Sequence, residues 1–489
     1  MYSFLISIAA LILGYVFYGR FVNRIFGPDP SRPTPATTMA DGVDYVPMPV
    51  WKVFMIQFLN IAGTGPIFGA IMGAKFGPSC YLWIVLGSIF AGAVHDFYIG
   101  MLSVRNGGLS FPNIAGTQFG KGARNVMLVF SLVLLVLVGV VFVYSPALIL
   151  GDIAGFMGTP KASVMIWVAI VFVYYIVATL LPVDKLIGKI YPLFAFCLLF
   201  MAVALMAGLF VKWPSLPEFW QGLGNRGPSV GLEGQSIFPC LFITVACGAI
   251  SGFHSTQSPL MARCITNEKY GRPIFYGAMI TEGIVALIWA AVSSYFFFDG
   301  GMAEVGATGA QAPTVVTSVS IGWLGLFGGI LAIIGMVAAP ITSGDTAFRS
   351  ARLILADFLG LDQKKKTNRL ILALPLFLVA SLLLWYNISD ENGFNVIWRY
   401  FGLANQSLAA FSLWLITFRI LGDRPGKAHF LIALIPAIFM TAVCVTFLCV
   451  DKICFGLDAA LTPWIAGAAA VVSIAVFLAV LRLSGVNGR

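Results

Sequence analysis

Two stretches of this 489-residue chain, Asn60-Ile-Ala-Gly-Thr-Gly-Pro66 and Gly248-Ala-Ile-Ser-Gly-Phe-His-Ser-Thr-Gln-Ser-Pro259, place glycine, proline and hydrogen-bonding side chains inside long apolar runs. A helix broken at such a stretch leaves backbone N–H and C=O groups unpaired, which is costly in hydrocarbon unless the groups line a cavity or bind a ligand. Paired breaks at corresponding positions of two halves are typical of the midplane site of a secondary transporter. The alternative is that glycine and proline only permit close packing or a kink.

The composition of the chain places both stretches in a membrane. Hydrophobic residues make up 59% of the sequence and charged residues only 10%, whereas a soluble domain carries about 25% charged residues. This balance excludes a soluble globular enzyme, a disordered chain and a nucleic-acid-binding module, so we expect the lipid bilayer and no nucleic acid as a partner. The eight cysteines form no Cys-x-x-Cys pair, and we therefore predict neither a zinc site nor a disulfide framework. We also expect no cofactor.

The apolar runs predict an all-α membrane protein with about 13 transmembrane helices, because a bilayer core about 30 Å thick needs about 20 apolar residues per helix. The first run has no basic n-region or small-residue cleavage site, so we expect it to remain as an anchor. The predicted spans are residues 2–26, 50–75, 78–104, 125–150, 162–181, 187–211, 236–262, 272–298, 316–341, 369–387, 396–419, 428–450 and 462–483.

The basic residues predict the orientation of these spans. With the N-terminus outside, 23 of the 29 lysines and arginines fall on one side, which the positive-inside rule identifies as the cytoplasm. We therefore expect a multi-pass protein of the plasma membrane with a cytoplasmic C-terminus. The second and seventh spans then run in opposite directions, so that each opens one of two inverted five-helix units with one broken helix apiece.

This topology divides the chain into five parts. They are a peripheral N-terminal helix with a cytoplasmic loop (1–49), a first five-helix repeat (50–211), an extracellular loop (212–235), a second five-helix repeat (236–419) and two C-terminal helices (420–489).

Several longer stretches give the chain a resemblance to the carbon starvation protein A family. They are Asn60-Ile-Ala-Gly-Thr-Gly-Pro-Ile-Phe-Gly69, Ala91-Gly-Ala-Val-His-Asp96, Ser103-Val-Arg-Asn-Gly-Gly108, Ser251-Gly-Phe-His-Ser-Thr-Gln-Ser-Pro-Leu-Met-Ala-Arg263, Thr342-Ser-Gly-Asp-Thr-Ala-Phe-Arg-Ser-Ala-Arg352 and Trp398-Arg-Tyr-Phe-Gly-Leu-Ala-Asn-Gln406. The resemblance implies proton-linked uptake of pyruvate or of peptides. It also implies membership of the amino acid-polyamine-cation transporter superfamily, with its 5+5 inverted-repeat core, and the chain resembles a short form of the family.

The two breaks supply the candidate substrate-binding residues, since hydroxyls, an imidazole and free N–H groups at the start of a half-helix suit a carboxylate. A buried histidine satisfied by a carbonyl is the alternative for His254, and the Ser and Thr hydroxyls can instead bond back to the preceding turn. The candidates are Asn60, Gly63, Thr64, Gly65, Ser251, Gly252, His254, Ser255, Thr256 and Gln257.

The candidate proton carriers are Asp96 and Glu282, inside the third and eighth helices, with His95 as a second titratable group beside Asp96. A carboxylate in hydrocarbon costs at least about 2.5–3.5 kcal/mol on insertion scales. Either carboxyl could therefore exchange a proton as access alternates between the two sides. The alternative is a permanently paired structural charge.

The candidate cation site comprises Thr342, Ser343 and Asp345, which follow a proline at the inner end of the ninth predicted span. In the inverted-repeat fold that the resemblance implies, this region and the first broken helix form a sodium site, and adjacent oxygen ligands suit a hard cation. Two arginines, Arg349 and Arg352, follow on what we expect to be a solvated, lipid-facing interfacial helix.

These observations predict a secondary active transporter that imports a small molecule, pyruvate or a peptide, with protons as the coupling ion. A sodium-coupled amino acid or peptide transporter is the alternative, and a channel is less favoured because the polar residues cluster at two breaks rather than along a pore. No nucleophile, base and orienting group occur at motif spacing, so we do not expect an enzyme.

Overall fold

The computed structural model describes residues 1–42, 44–153, 160–180, 183–307, 309–363, 365–390, 393–424 and 426–483. Every regular element in these ranges is a helix, so the prediction of an all-α protein is confirmed. The helices are α1 (Tyr2–Phe26), α2 in two halves (Val50–Ile61 and Gly65–Ala74), α3 (Ser79–Arg105), α4 (Phe111–Ile153), α5 (Pro160–Leu180), α6 (Val183–Lys212), α7 in two parts (Ile237–Leu241 with Phe242–Thr244, then Phe253–Ala262), α8 (Glu268–Phe298), α9 (Ala312–Leu359), α10 (Lys366–Ser389), α11 (Gly393–Asp423), α12 (Ala428–Val450) and α13 (Ala459–Arg482).

Eleven helices in the described ranges are long and apolar enough to cross a membrane, and the bent pair of α2 makes a twelfth. The remaining predicted crossing is α7, whose first part is too short to span a bilayer by itself. A count of 13 crossings and the orientation of the termini therefore stay predictions.

Both predicted breaks are present. In α2 the helix ends at Ile61, Ala62 takes a non-helical ψ of 55°, and the two halves meet at 55°. Pro66 is the second residue of the second half and lies in its first turn, where its missing N–H needs no partner. In α7 the first part ends at Thr244, and the helix resumes only at Phe253.

A second irregularity recurs at corresponding positions of the two predicted repeats. In α4 Gly120 (φ 84°, ψ −178°) separates a short helix from the long apolar one, and in α9 Gly325 (φ 66°, ψ −178°) does the same. Residues other than glycine rarely adopt this conformation. Because α4 and α9 are the third helices of the two groups of five, this recurrence supports an internal repeat, whose exact bounds stay predicted.

The structure corrects the predicted ninth span of residues 316–341. The apolar run begins on the short helix before Gly325, and helical geometry then continues to Leu359 through Pro340. Residues 342–345 therefore lie within a continuous helix rather than at its inner end.

Burial separates a central group of helices from the peripheral ones. In α3 and α8, 83% of the most apolar window is buried, compared with 22% for α1 and 11% for α13. The broken helices lie in the central group, since α2 contacts α8, and α7 contacts both α2 and α3. This arrangement surrounds the two breaks with protein rather than lipid.

Candidate functional site

The structure brings the two breaks together. A Cβ on Gly65 would lie 2.4 Å from the Cys247 Sγ, and a Cβ on Gly248 would lie 3.6 Å from the Cα of Pro66. A Cβ on Gly69 would lie 2.8 Å from the Thr244 carbonyl oxygen. Glycine is required at these positions because the two segments approach too closely for a side chain, so these glycines allow the breaks to touch.

Neighbouring helices satisfy much of the backbone exposed by the break in α7. On α3, the Trp83 Nε1–H donates to the Val245 carbonyl (2.9 Å) and the Ser88 hydroxyl donates to the Gly248 carbonyl (3.0 Å). On α11, the Gln406 amide donates to the Phe242 carbonyl at 2.7 Å. These hydrogen bonds fix an opened backbone in place, as a pre-formed site requires.

Asn405 of α11 caps the second part of α7. Its Oδ1 accepts hydrogen bonds from the Ser251 hydroxyl (3.0 Å) and from the Phe253 N–H (2.8 Å), and its carbonyl accepts one from the Gly252 N–H (3.1 Å). The predicted site residues Ser251 and Gly252 are therefore positioned by a residue that we did not predict. The signal was available, because Asn405 and Gln406 are amides in the middle of an apolar helix.

The three predicted proton-coupling residues meet His254 in a carboxylate–imidazole cluster formed by His95, Asp96, His254 and Glu282. The Nδ1 atoms of His95 and His254 each lie 2.8 Å from a different oxygen of Asp96. The Nε2 of His254 lies 3.5 Å from the Glu282 Oε2, and all four side chains are fully buried. Helices α3, α7 and α8 thus contribute to one buried titratable unit.

This cluster can hold a variable number of protons. Asp96 engages both Nδ1 atoms, which leaves each Nε2 as the second site of its imidazole. Among the described residues, neither Glu282 oxygen nor the His95 Nε2 has a hydrogen-bond partner. Since His254 lies between two carboxyl groups, its ring can face an ionised Glu282 as imidazolium or a protonated Glu282 as neutral imidazole.

Some of the remaining candidate side chains already form hydrogen bonds within the protein, and others have polar atoms without a partner in the described part of the chain. The Ser255 and Thr256 hydroxyls bond back to the carbonyls of Gly252 (2.7 Å) and Phe253 (2.6 Å), as the alternative interpretation expected. Both polar atoms of the Asn60 amide, by contrast, are buried without a hydrogen-bond partner among the described residues.

Gln257 and the residues of the first break show the same division. The Gln257 Nε2 donates to Ser350 at 3.3 Å, whereas its Oε1 is unpartnered in the described part of the chain. Thr64 accepts a hydrogen bond from Ser145 at 3.3 Å. Gly63 faces the Phe142 ring, which a Cβ there would approach to 2.6 Å.

The predicted cation-site residues do not converge on one point. The Ser343 hydroxyl donates to the Leu59 carbonyl at the first break (3.0 Å), but the Thr342 hydroxyl bonds back to its own helix. Asp345 accepts a hydrogen bond from Tyr191 (2.8 Å) and lies 3.7 Å from Arg349. Only Ser343 therefore reaches the break.

The expectation that Arg349 and Arg352 are solvated and face lipid is wrong, since both are 1% exposed. Arg349 donates to the Ala178 carbonyl on α5 at 2.8 Å, and Arg352 hydrogen-bonds Gln363. Because α9 continues past its predicted end, these arginines lie on a helix packed inside the protein.

The candidate site is closed to solvent. Every predicted site residue with a polar side chain is at most 3% exposed. Such burial is typical of an occluded conformation, in which neither side of the membrane has access.

Comparisons with known proteins agree with this architecture. A family model described as carbon starvation protein CstA matches residues 1–154, 153–325 and 322–447. An uncharacterized membrane protein of Haemophilus influenzae is 48% identical over 339 residues, covering 61% of this chain and 91% of that protein. The peptide transporter CstA of Escherichia coli is 26% identical, covering 89% and 78% of the two chains.

Two further comparisons extend this likeness. The pyruvate/proton symporter BtsT of Escherichia coli is 25% identical, covering 90% of this chain and 80% of that one. A solved structure of the Eremococcus coleocola manganese transporter has a similar fold, with a TM-score of 0.54 at 11% identity over 90% and 97% of the chains. The family model covers most of the sequence, and the chain therefore belongs to the carbon starvation protein CstA family.

Proposed function

We propose that this membrane transporter imports pyruvate or peptides by proton-coupled symport with alternating access. The observation that carries the proposal is the carboxylate–imidazole cluster, in which His254 on the broken helix α7 lies between Asp96 on α3 and Glu282 on α8. The names of the two Escherichia coli relatives support the same substrate classes and, for one of them, the proton.

The cluster connects proton binding to the substrate region because one short helix carries both. His254 and Ser255 lie in the first turn of this helix, and Ser251 lies just before its N-cap Gly252, so a tilt of this half of α7 moves the imidazole and the opened backbone together. A substrate carboxylate entering this buried region adds a negative charge near two acidic groups. A proton taken up by the cluster offsets that charge, which makes joint occupancy more favourable than either alone.

The charge balance distinguishes the two substrate classes. A pyruvate anion carried with one proton is electroneutral, and its uptake responds to the pH gradient alone. A zwitterionic peptide carried with one proton moves one positive charge, worth about 2.3 kcal/mol per 100 mV of membrane potential.

Sodium coupling is a second candidate, supported by one contact. The Ser343 hydroxyl and the Leu59 carbonyl oxygen lie 3.0 Å apart at the first break, and such oxygens are the ligands that hard cations prefer. A cation there would connect α9 to α2.

Uptake of labelled pyruvate and a labelled dipeptide into proteoliposomes tests the proposal, with pH, sodium and electrical gradients imposed separately. We expect accumulation driven by the pH gradient. Accumulation driven only by sodium, and abolished by Ser343→Ala, would replace protons with sodium. Steady unitary currents in planar bilayers would contradict a transporter mechanism altogether.

Variants of the cluster test the roles of its residues. We expect Glu282→Gln and Asp96→Asn to lose proton-driven accumulation, while exchange of labelled for unlabelled substrate, which needs no net proton movement, persists in Glu282→Gln. Glu268→Gln is the matched control, because Glu268 is equally buried but pairs with Arg105 outside the cluster. Normal accumulation with unaltered pH dependence in both cluster variants would refute the assignment.

A further inference from the structure

A cavity of about 300 Å³, here called the vestibule, lies at the predicted outer face beside the break in α7. It is bounded by the end of α2, the first part of α7, the start of α11 and the end of α12. Its polar lining includes Gln235, Thr244, Asn395 and Arg399. This cavity is separate from the candidate site. Within the stretch Trp398–Gln406, Asn405 and Gln406 form hydrogen bonds at the break in α7.

Arg399 is the cationic group of the vestibule. It forms an ion pair with Asp451, and the Arg399 side chain is 33% exposed whereas that of Asp451 is 3% exposed. Asp451 is held independently, because its Oδ1 accepts a hydrogen bond from the Ile453 N–H at 3.0 Å. The Tyr400 hydroxyl on α11 donates a hydrogen bond to the Ile453 carbonyl at 2.9 Å, which holds the turn at Asp451–Ile453 against α11.

The guanidinium has donors left for a second anion. The hydrogen bond to Asp451 uses Nη2, and a guanidinium carries five N–H donors in a fixed fork that matches a carboxylate. Asp451 is held by its own turn and contacts Nη2 of Arg399, while the Arg399 side chain as a whole is 33% exposed. A carboxylate arriving from solvent can therefore bind without breaking the existing pair.

The vestibule adjoins the break in α7 at Thr244. Thr244 lines the vestibule and is the last residue of the first part of α7, and its carbonyl oxygen packs against Gly69 of α2. Two turns after Arg399, Gln406 holds the carbonyl of Phe242 in the same part of α7. Helix α11 thus carries both the exposed cation and the residue that fixes the segment between vestibule and break.

We propose that Arg399 forms a capture site for the carboxylate of the substrate, occupied before α2 and α7 separate to admit it to the break. The ligand class is a small organic carboxylate or the C-terminal carboxylate of a short peptide. The direction of entry rests on the proposed function, whereas carboxylate binding in the vestibule does not.

Protection of Cys240, a partly exposed thiol that lines the vestibule, measures binding without transport. In a background with the other partly exposed thiols, Cys449 and Cys454, replaced by serine, we expect pyruvate to slow modification of Cys240 by a methanethiosulfonate reagent. Pyruvamide, the neutral isostere of pyruvate, should leave the rate of Cys240 modification unchanged. Lack of protection by pyruvate in this otherwise unaltered protein would overturn the proposal.

Substitution of the pair then assigns the binding to Arg399. The double variant Arg399→Gln/Asp451→Asn avoids leaving a buried unpaired carboxylate, and we expect it to raise the half-protecting pyruvate concentration about tenfold, as for the loss of a charged hydrogen bond. Lys452→Gln, which changes a basic residue in the same loop outside the vestibule lining, should change it little. Protection equal to that of the unsubstituted pair would overturn the assignment.

Uptake in proteoliposomes separates this inference from the proposed function. We expect the double variant to raise the KM for pyruvate with an unchanged maximal rate. Arg399-dependent protection without any uptake would retain the capture site and refute the transport proposal, whereas uptake with an unchanged KM would refute the role of Arg399 in entry.

Discussion

Replacement of Gly65 by alanine tests whether the two breaks must touch. The added Cβ would lie 2.4 Å from the Sγ and 2.5 Å from the Cβ of Cys247, well inside the 3.4 Å at which ordinary contact begins. Overpacking of this kind typically costs about 1–3 kcal/mol. We therefore expect Gly65→Ala to lower the free energy of unfolding by about 2 kcal/mol and to weaken substrate binding, because the breaks must move apart.

Changes at Cys247 make this prediction specific. Cys247→Gly removes both clashing atoms and leaves the Cα at 3.8 Å, so it should restore stability and uptake to Gly65→Ala. Cys247→Ala removes only the Sγ and should restore much less. Gly69→Ala is the matched control, because it meets the backbone oxygen of Thr244, which no side-chain change can remove. Thermal unfolding of the purified protein and uptake KM are the assays. Wild-type behaviour of Gly65→Ala, or no rescue by Cys247→Gly, would refute the proposed contact.

Three further predictions concern stability, measured as the free energy of unfolding in detergent. Asn405→Ala leaves two buried donors of α7 unpaired and should cost about 3 kcal/mol. The control Asn387→Ala removes a buried amide without a partner in the described chain and should cost less than about 1 kcal/mol. Equal costs would contradict the capping role of Asn405. Tyr191→Phe removes a hydrogen bond to Asp345 and should cost about 2 kcal/mol, and an unchanged value would contradict the contact. Burial raises the pKa of Glu218, but hydrogen bonds from the start of α1 lower it overall, so Glu218→Gln should cost about 1 kcal/mol at neutral pH. That cost should vanish as the pH falls below the lowered pKa, because the wild-type carboxylate is then protonated, and a pH-independent cost would contradict it.

Most spans were predictable because each is an apolar run of bilayer length. The ninth was not, since the run crosses Gly325 without a change in hydropathy, and only the positive φ of that glycine shows where the short helix that precedes it ends. The same limit explains the error at Arg349 and Arg352. Charge alone predicted a solvated helix, whereas packing of α9 against α4, α5 and α6 buries both guanidinium groups.

The candidate site shows the same division. Asp96, His254 and Glu282 could be identified from the sequence because each is a polar residue inside an apolar helix. Their mutual distances depend on how α3, α7 and α8 pack, which no local pattern encodes. Trp83 and Ser88 were missed because an indole and a hydroxyl are ordinary in a membrane helix until their carbonyl partners are known.

The sequence by itself determined that the chain is a bundle of membrane helices with two breaks, because hydropathy, glycine and proline act through local backbone chemistry. Only the tertiary structure decided that the breaks touch at Gly65 and Cys247 and that one imidazole lies between two carboxyl groups. The physical reason is that these contacts join residues far apart in the chain, and close packing between helices sets their distances to fractions of an ångström.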